Sequence, residues 1–434
     1  MNAAGREAGA MAGWTARDAE RWLLSLELFG MRFGLDRMRR LMTALDSPNE
    51  AFATIHVVGT NGKSSTVRMI AALLYHHGVR TGAYLSPHLV SFSERIRVGV
   101  DDVSHERFAA AVQRARRAAE LVDRTLEEDD RVTQFEALTA AAYALLADAP
   151  VDVAVVEAGL GGRWDATNVI GSEVVVLTNV GLEHTRWLGP TVEDIAREKL
   201  AVVSPGATLV LGADLHPAAE HEAQVVAERQ SATIVRAAAE PPAALRDGLR
   251  ARGDFQRRNF AVACAATEAH LGQLDDAAVR AAAASTVVPG RFEVVRGGGG
   301  GATEIVLDGA HNEGGIAALA ETLPGFLAGR PLVAVVSILD DKDAAAMLGA
   351  LLPLCAGAVF TANANPRALS PATLNSLAGQ IGAPPVTRVE ADPRRAVALA
   401  GRIAQPDGVV LATGSIYLVA DLMRPAGAGR ASTL

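Results

Sequence analysis

The sequence predicts an α/β protein with a large N-terminal unit, built on a mainly parallel and doubly wound sheet, and a smaller C-terminal α/β unit. Three observations lead to this prediction. Short apolar runs followed by helical periodicity recur along the chain. Half of the residues are apolar but only 4% are aromatic, which suits helices packed closely on sheets. The 434 residues exceed one ordinary core, since a domain holds about 150–200 residues.

The alternation of strands and helices can be followed in chain order. TIHVV precedes the helical pattern SSTVRMIAALLYHHG, VDVAVVEAG is a second apolar run, and EVVVLTNVG precedes TVEDIAREKLAVV. The pattern restarts after VVPGRFEVV, where EIVLDGAH, LVAVVSIL, AVFTA and GVVLATGS are each followed by a helical segment. We therefore divide the chain into residues 1–288 and 289–434. Five glycines at 297–301 lie between two strand-like runs, so either a domain linker or a hairpin loop explains them.

Charge and composition exclude several classes of protein. The formal net charge is −8, from 41 Lys and Arg against 49 Asp and Glu, and the mixed signs leave no basic stripe for nucleic acid. No run reaches the roughly 18 apolar residues of a membrane helix, and Arg6 and Glu7 interrupt the apolar core that a signal peptide needs. We expect a cytoplasmic protein with no membrane partner. Cys264 and Cys355 stand in apolar surroundings without a CxxC motif, which indicates buried free thiols.

The stretch IHVVGTNGKSSTV predicts a phosphate-binding loop, or P-loop. A strand, a glycine turn and a helix follow one another, so backbone N–H groups and a helix N-terminus meet at one place that favours an anion. The spacing meets the usual P-loop pattern only in part, and a glycine turn with a solvated lysine is the alternative. The residues assigned to nucleotide binding here are Gly59, Thr60, Asn61, Gly62, Lys63, Ser64 and Ser65.

Further polar residues follow apolar strands, where α/β sheets place their ligands. They occur in YLSPHL, VVEAGLGGRWDATNV, TNVGLEHTRWLG and LDGAHN. Together with GTNGK, RNFAVA, PGRFE, DKD and TGSIYL, these stretches closely resemble the folylpolyglutamate synthase and dihydrofolate synthase family of the Mur ligase superfamily. The resemblance runs from about residue 35 to residue 422. The resemblance implies a Rossmann-like fold for the C-terminal unit. This chain differs from the family at Ser64, where the family usually has glycine.

The resemblance implies an ATP- and Mg²⁺-dependent amide ligase. Such enzymes phosphorylate the carboxylate of a folate or dihydropteroate, and the amino group of L-glutamate then attacks the acyl phosphate. The implied partners are these small molecules, and we expect a monomer. Two alternatives remain: a peptidoglycan amino-acid ligase of the same superfamily, which the SPHL and DGAHN motifs disfavour, and an idle nucleotide-binding protein, which would be expected to lose its metal-binding residues.

The resemblance also implies roles for individual residues. Ser86, Glu157 and His184 match positions that ligate a magnesium ion bridging the β and γ phosphates. Without the family, Ser86 would be a turn cap, Glu157 a metal or ribose ligand, and His184 a loop histidine. Lys199 matches a lysine that is often carbamylated, and the family also implies a monovalent cation. By itself Lys199 would be a solvated helix lysine. With Lys63 and His311, it completes the set of predicted catalytic residues.

The remaining predictions concern the nucleotide and the acceptor substrate. Asn259, Arg291 and Asp308 match nucleotide-contacting positions; a helix-terminal polar residue, a surface ion pair and an Asp-Gly turn are the alternatives. On the folate side the resemblance assigns residues of two segments, for which a core aromatic and a solvated charge are the alternatives. These residues are Phe92, Arg95, Thr133, Phe135 and Glu136.

Overall fold

The computed structural model describes residues 13–26, 34–241, 248–296, 303–382, 384–405 and 407–425. Within these ranges two sheets account for the strands, one in the first half of the chain and one in the second. We call each sheet with its covering helices the N-terminal unit and the C-terminal unit. The predicted fold class is confirmed. The glycine run 297–301 lies outside the described residues.

The N-terminal unit holds an eight-stranded sheet in the order β4-β3-β2-β5-β1-β6-β7-β8 among the described residues. All neighbours from β2 to β8 pair in parallel, while β3 and β4 form an antiparallel edge. Its strands are β1 (Ala53–Val58), β2 (Thr81–Tyr84), β3 (Ile96–Val98), β4 (Asp101–Asp102), β5 (Val153–Glu157), β6 (Val174–Leu177), β7 (Thr208–Leu211) and β8 (Thr233–Arg236).

Helices cover both faces of this sheet, because successive residues of a buried strand point to opposite faces. On β5, Val155 packs under one helical layer, whereas Ala154 and Val156 pack under the other. The helices are α1 (Ala16–Ser25), α2 (Asp36–Ala44), α3 (Lys63–His76), α4 (His105–Asp123), α5 (Gln134–Asp148), α6 (Thr185–Leu188), α7 (Val192–Leu200), α8 (Pro217–Gln230), α9 (Asp254–Leu271) and α10 (Asp276–Ser285), with 3-10 turns at Pro48–Glu50 and Phe92–Arg95.

The C-terminal unit holds a six-stranded sheet in the order β13-β12-β11-β14-β10-β9, counted over the same described residues. Only β9 runs antiparallel, against β10. Its elements are β9 (Glu293–Arg296), β10 (Glu304–Leu307), α11 (Glu313–Leu327), β11 (Leu332–Val336), α12 (Ala344–Leu351), a 3-10 turn (Leu352–Leu354), β12 (Gly357–Phe360), α13 (Pro371–Ile381), β13 (Val386–Val389), α14 (Pro393–Ala404), β14 (Val409–Thr413) and α15 (Ile416–Met423).

The connection between the units bears on the predicted boundary. The strands before and after the glycine run, β9 and β10, pair with each other in antiparallel fashion, so both belong to the C-terminal unit. The division at residues 288–289 stays a prediction. Cys264 and Cys355 are free thiols, the first partly exposed and the second buried. Among the described residues no helix combines the length and the apolar character needed to cross a bilayer.

The C-terminal core yields a first prediction. Leu411, in the middle of β14, is fully buried. We expect Leu411→Ala to lower the free energy of unfolding by about 2–5 kcal/mol, since truncation leaves a cavity that the sheet and its helices cannot fill. Urea denaturation followed by circular dichroism measures the change. The matched control is Leu121→Ala on α4, where the side chain is 55% exposed and the expected change is under about 0.5 kcal/mol. Equal shifts for the two variants would contradict this account of the core.

Candidate functional site

A cleft of about 830 Å³ lies between the two units and is lined by residues of both. It opens at the carboxyl ends of the parallel strands, where both sheets leave polar side chains in loops. Most residues predicted from the sequence meet there. The predicted residues that line the cleft are Thr60, Asn61, Gly62, Lys63, Ser64, Ser65, Ser86, Thr133, Phe135, Glu136, Glu157, His184, Asn259, Arg291, Asp308 and His311.

The predicted phosphate loop connects β1 to α3 and turns on two glycines. Gly59 has φ +150° and Gly62 has φ +82°, both in the region that glycine favours. Lys63 begins α3, and its Nζ donates to the carbonyl oxygens of Gly59 at 3.0 Å and Thr60 at 3.1 Å. The ammonium therefore lies over the loop, beside the N-terminus of a 14-residue helix, and this pair of positive groups suits an anion.

The loop is packed tightly against its neighbours. A Cβ on Gly59 would lie 1.9 Å from Thr178 Oγ1, and one on Gly62 would lie 2.5 Å from Asn259 Oδ1. Asn259 Nδ2 donates to Gln256 Oε1 at 3.0 Å, so α9 presents a fixed amide to the loop. The two glycines are thus required for the close approach as well as for the turn.

Glu157 ends β5 and is buried beneath the start of α3. Ser64 Oγ donates to Glu157 Oε1 at 2.8 Å, and the Ser86 N–H donates to Oε2 at 3.0 Å. Burial raises the pKa of Glu157, while the charge of Lys63 and these two hydrogen bonds oppose the shift. Serine in place of the family glycine therefore places a hydroxyl on the carboxylate that the sequence assigned to a metal ion.

His184 begins the short helix α6 with φ +53°, and its ring faces the cleft. Partial desolvation by the surrounding protein lowers the pKa of His184 to about 4, and the charges of Lys342 and Lys63 act in the same direction. The imidazole is therefore neutral at pH 7 and offers a lone pair. In the described part of the chain, no three His, Cys, Asp or Glu side chains are grouped to hold a metal. Ser86, Glu157 and His184 all line the cleft.

Lys199 lies behind the loop instead of in the cleft lining. Its side chain is buried, and Nζ donates to the Gly59 carbonyl at 2.8 Å. Burial lowers the pKa of Lys199 to about 7, and the charge of Lys63 adds to the effect. The alternative of a solvated helix lysine is therefore wrong, because α7 turns this face toward the sheet.

The chain contains three lysines among its 41 basic residues, and all three meet at this site. Lys63 and Lys342 line the cleft, and Lys199 supports the loop. Every other side chain of fixed positive charge is arginine. An ammonium is a compact point charge whose pKa shifts readily on burial, which a guanidinium does not supply.

The C-terminal unit contributes residues that follow β10. Asp308 is buried; its Oδ2 accepts from the Phe292 N–H at 2.8 Å and its Oδ1 from the Ala310 N–H at 2.8 Å. Phe292 has φ +48°, so this carboxylate holds an uncommon backbone conformation next to Arg291. Burial raises the pKa of Asp308, and the charge of Arg291 opposes the shift. Asp308 thus fixes the backbone on both sides of the cleft entrance.

Glu183 joins the two units across the cleft. It follows β6, and its Oε1 lies 3.3 Å from His311 Nε2 and 3.1 Å from Lys342 Nζ. Burial alone would raise the pKa of Glu183, but the hydrogen bond with His311 and the charge of Lys342 hold it far below its usual range. Glu183 is therefore ionised and draws two C-terminal side chains toward the N-terminal unit.

The far wall of the cleft is formed by α5 and α2. Thr133 caps α5 and shares a capping box with Glu136, while Phe135 stacks beside Tyr84 with ring centroids 6.2 Å apart. Arg37 of α2 donates through Nε to both oxygens of Glu136 at 3.0 Å and through Nη1 to Asp130 at 2.9 Å. This wall combines one aromatic face with a buried ion pair.

Gly59, at the start of the loop, and Lys199, behind it, do not line the cleft, and neither do two residues predicted for the folate side. Phe92 is 3% exposed and packs in the core beside Phe108. Arg95 is 1% exposed, and its Nε donates to His88 Nδ1 at 2.9 Å. The alternative of a core aromatic fits Phe92, whereas Arg95 is buried and not a solvated charge. The short 3-10 turn Phe92–Arg95 directs both side chains inward.

Sequence reasoning missed several residues of the cleft. Glu183 and Lys342 stand in the motifs LEHT and DKD. Both motifs were noted in the sequence, but neither residue was assigned a role. Asn179 and Asn312 likewise adjoin predicted residues in TNVG and DGAHN. Arg37 carried no signal, because its partner Glu136 lies 99 residues away in the chain.

Comparisons with known proteins agree with this geometry. The family model described as Mur ligase, glutamate ligase domain, matches residues 290–416. The dihydrofolate synthase/folylpolyglutamate synthase of Mycobacterium tuberculosis is 36% identical to this chain, covering 88% of the chain and 88% of the relative. The M. tuberculosis folylpolyglutamate synthase complexed with ADP and AMPPCP has a TM-score of 0.85 and 33% identity, covering 94% of this chain and 97% of that one.

A bifunctional folylpolyglutamate synthase/dihydrofolate synthase from Yersinia pestis, solved with AMPPNP and a Mn ion, is also similar. Its TM-score is 0.79 at 28% identity, and the alignment covers 94% of this chain and 97% of that chain. Both units therefore have counterparts of the same arrangement in solved structures.

The close packing of the loop yields a second prediction. Gly59→Ala should lower the free energy of unfolding by about 1–3 kcal/mol more than Gly34→Ala, because the added methyl would overlap Thr178. The two glycines have nearly the same φ, +150° and +147°, but a Cβ on Gly34 would meet nothing within 4 Å among the residues that the structure describes. The control therefore separates the clash from the backbone strain. Urea titration of both variants gives the comparison, and equal losses would refute the tight packing.

Proposed function

The chain belongs to the folylpolyglutamate synthase/dihydrofolate synthase family of Mur ligases, and we propose that its interdomain cleft joins L-glutamate to a folate or dihydropteroate with the residues described above. The reaction is an ATP-dependent amide ligation. A carboxylate oxygen of the acceptor attacks the γ-phosphorus and ADP leaves; the amino nitrogen of glutamate then attacks the acyl carbon and phosphate leaves. The observation that carries the assignment is the phosphate loop, which meets Glu157 on one side and His311 and Lys342 on the other.

We assign the ATP phosphates to the loop of residues 59–64. The first step brings two anions together, so positive charge must neutralise them. Lys63 supplies a fixed charge at the start of α3, and Arg291 offers a planar fork from the entrance of the C-terminal unit. Asn259 lies beside Gly62 and lines the nucleotide end of the cleft. Asp308 holds Arg291 and the loop at 310 in place through backbone hydrogen bonds.

We assign a magnesium ion to Ser86, Glu157 and His184. The donor set fits the ion, because a buried carboxylate, hydroxyls and one neutral imidazole leave room for water and phosphate oxygens, which Mg²⁺ retains. Bound there, the ion would neutralise charge on the transferring phosphoryl group. Ser64 Oγ, 2.8 Å from Glu157, orients that carboxylate. The monovalent cation implied by the family resemblance stays a prediction.

We assign the pteroyl group of the acceptor to the wall of α5 and α2. Phe135 offers an aromatic face, and Thr133, Glu136 and Arg37 supply polar groups beside it. The incoming L-glutamate carries two carboxylates, so its place is the C-terminal side, where Lys342 and Arg367 line the cleft. His311, next to them, faces the junction where acyl phosphate and amine must meet. Phe92 and Arg95 support this wall only indirectly.

We propose that Lys199 is carbamylated. Carbamylation needs an uncharged amine, and burial lowers the pKa of Lys199 to about 7, which leaves about half of it neutral at pH 7. The added carboxylate would lie beside Lys63 and the Gly59 carbonyl that Lys199 contacts.

The proposed reaction is tested by incubating the protein with ATP, Mg²⁺, L-glutamate and either dihydropteroate or tetrahydrofolate, with mass spectrometry of the products. We expect a glutamylated product and ADP.

Lys63→Ala should lower kcat by roughly 10²–10³-fold, the scale of losing one preorganised charge contact. A thermal melt confirms that the variant is folded. Absence of product with both acceptors rejects the proposed function, and wild-type kcat in folded Lys63→Ala removes the loop from the mechanism.

Carbamylation is tested with ¹³C-bicarbonate. Because the amine loses its proton as pH rises through about 7, the carbamate carbon signal in the NMR spectrum should grow between pH 6 and pH 8. Lys199→Arg keeps the positive charge and cannot be modified under these conditions, so its spectrum should lack the signal. A signal of equal size in Lys199→Arg would assign the carbamate elsewhere, and no signal in the wild type at pH 8 would reject it.

A further inference from the structure

We infer that Asn312 is a positioning residue that docks the C-terminal unit on the phosphate loop through a reciprocal amide pair with Asn61. Asn61 Nδ2 donates to Asn312 Oδ1 at 3.2 Å, and Asn312 Nδ2 donates to Asn61 Oδ1 at 3.0 Å. The two residues are 251 positions apart in the chain. This inference rests on the proposed function and adds a coupling between nucleotide binding and assembly of the site.

Asn61 is held so that its side chain points across the cleft. Its main-chain N–H donates to Asn179 Oδ1 at 2.9 Å, and its carbonyl accepts from Asn179 Nδ2 at 3.2 Å. Thr178 Oγ1 donates to the same carbonyl at 2.7 Å. Both main-chain polar groups of Asn61 are thus hydrogen-bonded within the N-terminal unit. The Asn61 amide is left to bind the other unit.

Asn312 is fixed from the opposite side. It is the N-cap of α11, and its Oδ1 also accepts from the Gly315 N–H at 2.8 Å. Asn312 is 7% exposed and Asn61 is half-buried, so the pair is shielded from water on the Asn312 side. A Cβ on Gly314 would lie 3.4 Å from Asn61 Nδ2, which is van der Waals contact, so the loop packs directly against the first turn of α11.

The pair has a direct consequence for the reaction. His311 precedes Asn312, and His311 and Lys342 contact Glu183 across the cleft. The amide pair joins the phosphate loop to the start of α11, so we expect bound phosphates that order the loop to order the start of α11 as well. The groups of the C-terminal unit are therefore brought to the acyl phosphate when the loop is occupied.

Two variants separate docking from helix capping. Asn312→Asp keeps a good cap and one acceptor, but it removes the donor to Asn61 and sets two oxygens against each other. Asn312→Ser keeps a cap and is too short for Asn61. We expect each to lower kcat by about tenfold or more, the scale of one or two lost hydrogen bonds, and to change the Kd for ATP less than about threefold. The matched control is Ser370→Ala, which removes the cap of α13 in the same unit and should leave kcat unchanged.

Hydrogen–deuterium exchange reads the coupling without turnover. In the wild type, ATP should slow exchange both in residues 59–66 and in residues 313–318 at the start of α11. In Asn312→Asp it should slow exchange in the loop alone. A double-mutant cycle of Asn61→Ala and Asn312→Ala measures the coupling through kcat. The double variant should have a kcat only slightly lower than that of the more impaired single variant.

The outcomes are separable. The inference is overturned if ATP slows exchange at the start of α11 as much in Asn312→Asp as in the wild type. It is also overturned if the losses of kcat in the double-mutant cycle are additive. Both outcomes can be observed in an active enzyme. An ATP-binding wild type that makes no glutamylated product rejects the proposed function, while its exchange pattern still decides whether the amide pair couples the loop to α11.

Discussion

Parallel strands place all their carboxyl ends on one edge of a sheet, and the site depends on this constraint. Glu157 ends β5, the phosphate loop follows β1, and Glu183 lies beyond β6 in the same sheet. Asp308 follows β10 in the second sheet. The carboxyl-terminal edges of the two sheets face a common cleft. Side chains that are far apart in the sequence therefore meet there on short loops that follow the strands.

Charged groups can be buried at this junction only because each has partners. Glu157 accepts two hydrogen bonds, Asp308 accepts hydrogen bonds from two backbone amides, and Glu183 contacts Lys342 and His311. Lys199 differs from these groups, because burial and the nearby charge of Lys63 disfavour its charged form and lower its pKa to about 7. The cleft is therefore preorganised for substrates that bring negative charge, and few of its groups need to reorient when such charge arrives.

Sequence motifs predicted those site residues whose neighbours in the chain indicate their chemistry. Lys63 was predicted from a glycine turn between a strand and a helix, and Glu157 from its place at the end of an apolar run. Each pattern is a short continuous stretch of the sequence. Arg37 could not be found in this way, since its partner is contributed by another helix. The resemblance assigned Arg95 to the folate side, and the alternative was a solvated charge; the 3-10 turn Phe92–Arg95 instead places this side chain in the core.

The sequence by itself determined the fold class, the order of strands and helices, and the residue types that follow each strand, since apolar periodicity and turn chemistry are local properties. Only the tertiary structure decided which of these residues meet. Asn61 and Asn312 are each unremarkable in their motifs, and their pairing exists because two sheets face each other. The lowered pKa of Lys199 is likewise a property of burial, and burial depends on every element that packs around the side chain.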